Sequence, residues 1–442
     1  MQEDTSRHDP ASLRFTRGPQ RKFGPRGAAS AALLALALVL VGCGGGDDAE
    51  LDAPSGSAVQ ALALPGPYPI ACSNVAQDFA RVPAGGEAAK DYWEGKPAPD
   101  GTPRYVTDLL SDPANALSLS VNVPNDSNLY GSFAGRPVGF AVIACYPTTA
   151  GNPRADFALP TGQRVPHMHT GAQAPLFADA STRYPILVFS HGLAGSPLSD
   201  DHFIVLSWLA SHGYVVVAPF HGDPRFTNLQ IDDFGDVVAV LTNLNDAIAM
   251  QALRPLAASA ALDLLLAHPQ WRDHVDATQI GGFGASLGGE TMLLLGGAAL
   301  TTSPSLSSAP VGIDRRLKAA VGYVPYFGQA LLPAFGRDQR GLDSVTLPFL
   351  AIGGTADTTA PLAVTQQGLG RLAGPRQLVA LTGLEHGFDA ASAGDVLTWS
   401  LTFLDARVRA LPSAMTQLST MTRVAGGADD RLVISQEGPA AP

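Results

Sequence analysis

Gln279-Ile-Gly-Gly-Phe-Gly-Ala-Ser286-Leu-Gly-Gly-Glu290 is the stretch on which the reading of the whole chain turns. The apolar run Ile280 to Phe283 has the length and composition of a short strand. A small, apolar, helix-compatible run, Thr291 to Leu300, follows it. Between them stands Gly284-Ala-Ser286-Leu-Gly288, the G-x-S-x-G form of a nucleophile elbow. A strand-to-helix turn this sharp forces the serine into a strained backbone, and flanking glycines leave room for it. The strain lifts the hydroxyl clear of the sheet and aims the next amide at a reacting carbonyl. In a chain with 47 glycines the pentapeptide alone says little; its place between a strand and a helix is what gives it weight.

Outward from this turn, strands and helices alternate. Val138 to Tyr146 reads as an early strand stopped by Pro147. Ile186 to Ser190 is an apolar strand running into His191-Gly-Leu-Ala-Gly195. Asp201 to His212 places Phe203, Leu206, Leu209 and Ala210 on one helical face, and Gly213 ends that helix. Tyr214 to Ala218 is the next strand, and Pro255 suits the first turn of a helix facing inward with Leu256, Ala260 and Leu264. Ala319 to Val324, Phe349 to Ile352 and Gln377 to Leu381 are three further strands, and Ala391 to Arg409 a last helix. Continuous apolar strands separated by helices predict an α/β fold with a mostly parallel, doubly wound sheet covered by helices on both faces. The long connection from Phe220 to Leu253 predicts a helical excursion over the carboxyl edge of the sheet, near the reactive serine. Residues 300–318 read as a Ser/Pro-rich loop.

A serine hydroxyl needs a base, and the base needs an orienting acid. In an α/β-hydrolase fold these follow the nucleophile in the order acid, then histidine. Ala351-Ile-Gly-Gly-Thr-Ala-Asp357 is a strand ending in a turn with an acid. Leu381-Thr-Gly-Leu-Glu-His386-Gly-Phe-Asp389 puts a histidine in the loop after the last parallel strand. Ser286, Asp357 and His386 are therefore expected at neighbouring strand ends on one edge of the sheet. The amides of Leu287 and Leu193 are the expected oxyanion donors. Glu385 could stand in for Asp357 only with awkward geometry, and Asp343 and Asp314 read as solvated loop carboxylates. His191 reads as shaping the oxyanion loop. His167 and His169 are spaced as a metal pair but lack a third ligand, and Asp232, Asp233 and Asp236 lack a calcium-loop pattern. Gly282 to Gly288 has the wrong spacing for a dinucleotide loop. No metal or cofactor is expected.

The composition, 46% apolar and 15% charged, describes a chain with a large core, and a net charge of −11 argues against nucleic acid as a partner. The first residues read differently. Arg14, Arg17, Arg21, Lys22 and Arg26 form a basic region ahead of the apolar run Ala28 to Val41, which is too short for an ordinary membrane span. The run ends in Leu40-Val-Gly-Cys43, which resembles a bacterial lipoprotein cleavage box. The resemblance implies removal of residues 1–42, a diacylglyceryl group on Cys43, and an extracytoplasmic lipoprotein in the periplasm or at the cell surface. An ordinary secretory signal is the alternative. The chain from Cys43 onward would carry 22 basic and 36 acidic residues, a net charge of −14. Cys72 and Cys145 then read as a disulfide, the alternative being two buried free thiols. The expected organisation is a signal peptide over 1–42, a flexible tether over 43–65, a catalytic domain over 66–412 and a C-terminal tail over 413–442.

Tyr184-Pro-Ile-Leu-Val-Phe-Ser-His-Gly-Leu-Ala-Gly195 and Leu209-Ala-Ser-His-Gly-Tyr-Val-Val-Val-Ala-Pro219 resemble the plasma-type platelet-activating factor acetylhydrolases and their bacterial dienelactone-hydrolase-like relatives. The Ser286 elbow, the Asp357 and His386 loops and Cys145-Tyr-Pro147 fit the same pattern, so the likeness covers roughly residues 138–405. It implies an α/β-hydrolase fold with Ser286 as nucleophile, Asp357 and His386 completing the triad, and Leu193 and Leu287 as oxyanion donors. It further implies short-chain acyl esters, including those of phospholipids, as substrates. True dienelactone hydrolases carry cysteine where this chain has Ser286, which counts against that substrate. Asp357-Thr-Thr-Ala-Pro361 also resembles the acid loop of secreted polyester hydrolases, making a polyester or cutinase-like activity the alternative. A reading from another class is a non-catalytic lipoprotein that binds through the same scaffold. The expected partners are a small-molecule or lipid ester and, through Cys43, a membrane; no protein partner is inferred.

Overall fold

Runs of apolar residues without polar alternation give strands that are buried on both faces. Here they do so at β5 (Tyr184–Ser190), β6 (Val215–Pro219), β9 (Phe349–Gly354) and β10 (Arg376–Leu381), in which every residue is buried. The computed structural model describes residues 56–73, 114–158, 164–229 and 237–438, all within one compact unit, Asp52–Pro442. The expected signal peptide (1–42), Cys43, most of the expected tether, and Asp232, Asp233 and Asp236 lie outside the described residues.

The remaining strands among the described residues are β1 (Ser57–Gln60), β2 (Ile70–Ser73), β3 (Ser118–Asn122), β4 (Pro137–Pro147), β7 (Val275–Ala285), β8 (Leu317–Tyr323), β11 (Met421–Ala425) and β12 (Asp430–Gln436), with the strands of three short two- or three-residue pairs left unlabelled. Ten of the strands form the central sheet, in the order β12-β10-β9-β8-β7-β5-β6-β4-β2, with β3 also paired to β4. The six strands from β10 to β6 run parallel to one another. Antiparallel strands close both ends: β12 on β10, and β4 with β2 and β3 beyond β6.

Beside a single helical turn at Ser127–Tyr130, the α-helices among the described residues are α1 (Asp200–Ser211), α2 (Val237–Thr242), α3 (Leu244–Ala267), α4 (Leu287–Leu295), α5 (Leu362–Leu369), α6 (Ala393–Arg407) and α7 (Pro412–Thr420). Successive strand residues point to opposite faces, and the core divides accordingly. Ile186, Val188, Val215 and Val217 pack with Leu262 and Leu265 of α3 and Met292 to Leu295 of α4. Leu187, Phe189, Val216 and Ala218 pack with Phe203, Leu206 and Leu209 of α1 and Val396, Trp399 and Phe403 of α6. The result is a mixed α/β molecule with a mostly parallel central sheet and helices on both sides of it.

Several boundaries differ from expectation. The α3 helix begins at Leu244 and carries Pro255 in its interior, not at its first turn. Burial compensates: from Ala247 to Pro255 every residue is buried, so packing holds a helix through a proline that removes one backbone donor. The α4 helix begins at Leu287, directly after Ser286, rather than at Thr291. Residues 413–442, expected as a tail, instead build most of α7 and the strands β11 and β12. The last part of the expected tether also takes a place in the fold, with β1 paired in parallel to β11. Cys72 and Cys145 face each other across the β2–β4 pair and form a disulfide, with Cα atoms 4.1 Å apart.

Candidate active site

Ser286 sits between the end of β7 and the start of α4 with φ 54° and ψ −118°, a conformation L-residues rarely adopt. The two outer glycines of the motif are required by close backbone packing. A Cβ on Gly284 would lie 2.0 Å from the carbonyl oxygen of Gly288, and one on Gly288 would lie 1.8 Å from that of Ser190. The turn is held by the Ser286 amide donating to the Tyr323 carbonyl (2.9 Å) and the Tyr326 amide donating to the Ser286 carbonyl (3.0 Å). The Ser286 residue is almost covered, at 8% exposure.

The loops after β9 and β10 deliver the other two side chains. His386 Nε2 lies 3.0 Å from Ser286 Oγ, and His386 Nδ1 lies 2.8 Å from Asp357 Oδ2. The second Asp357 oxygen accepts the amides of Thr359 (2.9 Å) and Ala360 (2.8 Å), which fixes the carboxylate's direction. The histidine loop is pinned where Tyr323 donates its hydroxyl to the Gly387 carbonyl. Glu385 is exposed. A hydroxyl, an imidazole and a buried carboxylate in one hydrogen-bonded chain is the arrangement that lets a serine lose its proton as it attacks.

Beside this chain opens a cavity of about 370 Å3, lined by Leu193, His202, Val205, Phe283, Tyr323 and Phe388 among others. Leu193 and Leu287 both reach the site. Leu287 opens α4, where helix geometry leaves its amide without an intrahelical acceptor. Leu193 lies in the loop that passes Ser286, and a Cβ on Gly192 would come 3.5 Å from the Ser286 Cβ.

Three buried histidines surround that loop. Burial lowers His202 to about 4, and burial together with the Arg254 charge holds His191 and His221 well below the ordinary imidazole value. All three are neutral at physiological pH. His167 and His169 do not converge on a common point: His167 Nδ1 pairs with the Arg154 carbonyl (2.7 Å), and His169 bonds the Tyr146 hydroxyl (2.9 Å). Among the described residues no group of three or more potential metal ligands occurs. Arg254, Asp223, His202 and Glu290 at this site escaped the reading of the sequence. Arg254 had left a signal there, as the one charged residue between Ala247 and Leu262.

Residues 161–228 match the family model described as "Platelet-activating factor acetylhydrolase, isoform II". The match supports the platelet-activating factor acetylhydrolase-like family. That family is an α/β-hydrolase family, which the mostly parallel sheet fits, and the match supports a hydrolase of lipase or esterase type. The matched residues include β5, the loop at His191 to Gly195, α1, β6 and Asp223, and stop short of Ser286, Asp357 and His386. No curated protein matches the chain.

Proposed function

We propose that the protein is a serine carboxylic-ester hydrolase on a doubly wound α/β scaffold. The observation that carries this reading is the continuous hydrogen-bonded chain from Ser286 through His386 to Asp357, opening on the cavity. As Ser286 Oγ attacks the ester carbonyl, His386 takes its proton, and Asp357 holds the imidazolium through Nδ1. The amides of Leu193 and Leu287 receive the developing oxyanion. Collapse expels the alcohol, which takes the proton back from His386. Water, deprotonated by His386, then attacks the acyl-serine, and the acid leaves with Ser286 restored.

A cavity of about 370 Å3 with aromatic and aliphatic walls suits a short acyl ester. Together with the family match, it supports short-chain acyl esters, including those of phospholipids, as the substrate class. We further propose that residues 1–42 are removed and that a lipid on Cys43 holds the protein outside the cytoplasm, supported by the sequence ending in Leu40-Val-Gly-Cys43.

Hydrolysis of p-nitrophenyl esters of graded chain length, compared with Ser286→Ala, tests the reading. The expected result is a rate on acetate and butyrate that falls with chain length and vanishes in the variant. Equal rates for the two proteins would leave a binding module on a hydrolase scaffold.

A further inference from the structure

The peptide groups of the loop from His191 to Gly195 are held by side chains of which His202 lines the cavity and Arg254, Asp223, His191 and His221 do not. Arg254, reaching from α3, donates from Nη1 to the carbonyl of His191 (2.7 Å) and from Nη2 to the carbonyl of Gly192 (2.9 Å). The same guanidinium pairs with both oxygens of Asp223, Nε to Oδ1 at 2.9 Å and Nη2 to Oδ2 at 2.5 Å. Asp223 Oδ2 in turn accepts the amide of Ala194 (2.8 Å). His191 Nε2 accepts the His221 amide (3.1 Å), so its proton sits on Nδ1 and goes to the Gly192 carbonyl (2.8 Å). The Gly192 amide is taken by His202 Nε2 (3.3 Å), and the Gly195 amide by the Gly192 carbonyl (3.3 Å).

One consequence follows from the planarity of the peptide bond. In a trans peptide the C=O of one residue and the N–H of the next point in opposite directions. The Gly192 carbonyl accepts from Arg254, His191 and Gly195, so it is directed into the protein. The Leu193 N–H must then point the other way. Of the amides of residues 192 to 195, the Leu193 amide is the one with no hydrogen-bond partner among the described residues. Arg254 and Asp223 have side chains only 1% exposed. A buried ion pair contributes little net stability, because desolvation offsets its attraction. Its forked geometry serves here to hold two carbonyls and a carboxylate at once, which a lysine ammonium cannot do.

We propose that Arg254 and Asp223 are positioning residues that aim the Leu193 amide at the oxyanion. The proposal rests on the ester-hydrolase reading above. Arg254→Lys keeps the charge and loses the fork. Its kcat on p-nitrophenyl acetate is expected to fall about 10- to 100-fold, with KM within about threefold, because neither residue lines the cavity. Asp223→Leu combined with Arg254→Met removes both charges, so the fold does not depend on an unpaired one. It is expected to melt cooperatively and to show the same loss in kcat. Full kcat in either folded protein, or a loss confined to KM, would overturn the proposal while leaving the esterase intact. Wild-type protein no faster than Ser286→Ala would overturn the esterase reading and this proposal with it.

Discussion

Among the described carboxyl groups, Glu290 departs far from its ordinary behaviour. It lies in the first turn of α4, fully buried, with Gln251 Nε2 3.1 Å from one oxygen. Burial pushes its carboxyl up to about 8, outweighing the Arg254 charge and the Gln251 hydrogen bond. Between the ordinary carboxyl value and about 8, the folded protein keeps a proton that the unfolded chain has released. Stability therefore falls as pH rises through this window, by up to ~1.4 kcal/mol per pH unit, and levels off above it. Glu290→Gln should remove that slope. Urea unfolding at pH 5 and pH 8 is expected to show the variant gaining on wild type at the higher pH, and parallel behaviour would contradict it. The meeting of Ser286, Asp357 and His386 was legible because the proposed chemistry demands an order along the chain and turns at strand ends. Glu290 and Arg254 were not, because their roles depend on what lies across the packed interface between α3 and α4.

At the scale of elements, legibility followed the physics that dictates each one. The parallel strands declare themselves by apolar stretches such as Ile186 to Phe189, Val215 to Ala218 and Phe349 to Ile352. The edge strand β12, Asp-Arg-Leu-Val-Ile-Ser-Gln, shares its burial between two sides and mixes polar with apolar residues, so nothing in its sequence separated it from a loop. The start of α3 was obscured by Pro255, which local preference puts at a helix beginning and tertiary burial tolerates inside. The disulfide between Cys72 and Cys145 closes a separation of 73 residues and fastens β2 to β4. Constraining a loop of that length in the unfolded chain is worth about 4 kcal/mol in the chain-entropy model. Cys72→Ser with Cys145→Ser is expected to lower the urea midpoint, corresponding to a loss of about 2–4 kcal/mol in unfolding free energy. Ester hydrolysis should persist, because β5 and β6 separate β4 from the Ser286 strand. An unchanged midpoint would contradict a bridge in the folded protein.

Across the whole molecule, the last residues of the chain complete the fold they were expected to trail. β12 covers the edge of β10, Trp399 of α6 donates to Asp430 (2.6 Å), and β11 holds β1. Removing them would bare the backbone of a central-sheet strand, an invitation to edge-to-edge association. A chain ending at residue 411 is expected to aggregate or lose its cooperative transition when made in parallel with one ending at residue 438. A soluble, cooperatively melting shorter chain would show that this segment is dispensable.

We propose Ser286 as a nucleophile activated by His386 and Asp357, and its reaction with a fluorophosphonate, followed by peptide mass mapping, would report that activation. One adduct is expected, on Ser286, absent in Ser286→Ala and forming on the order of 10⁴-fold more slowly in Asp357→Asn. An unlabelled Ser286 in folded wild-type protein, or labelling indifferent to Asp357, would contradict it.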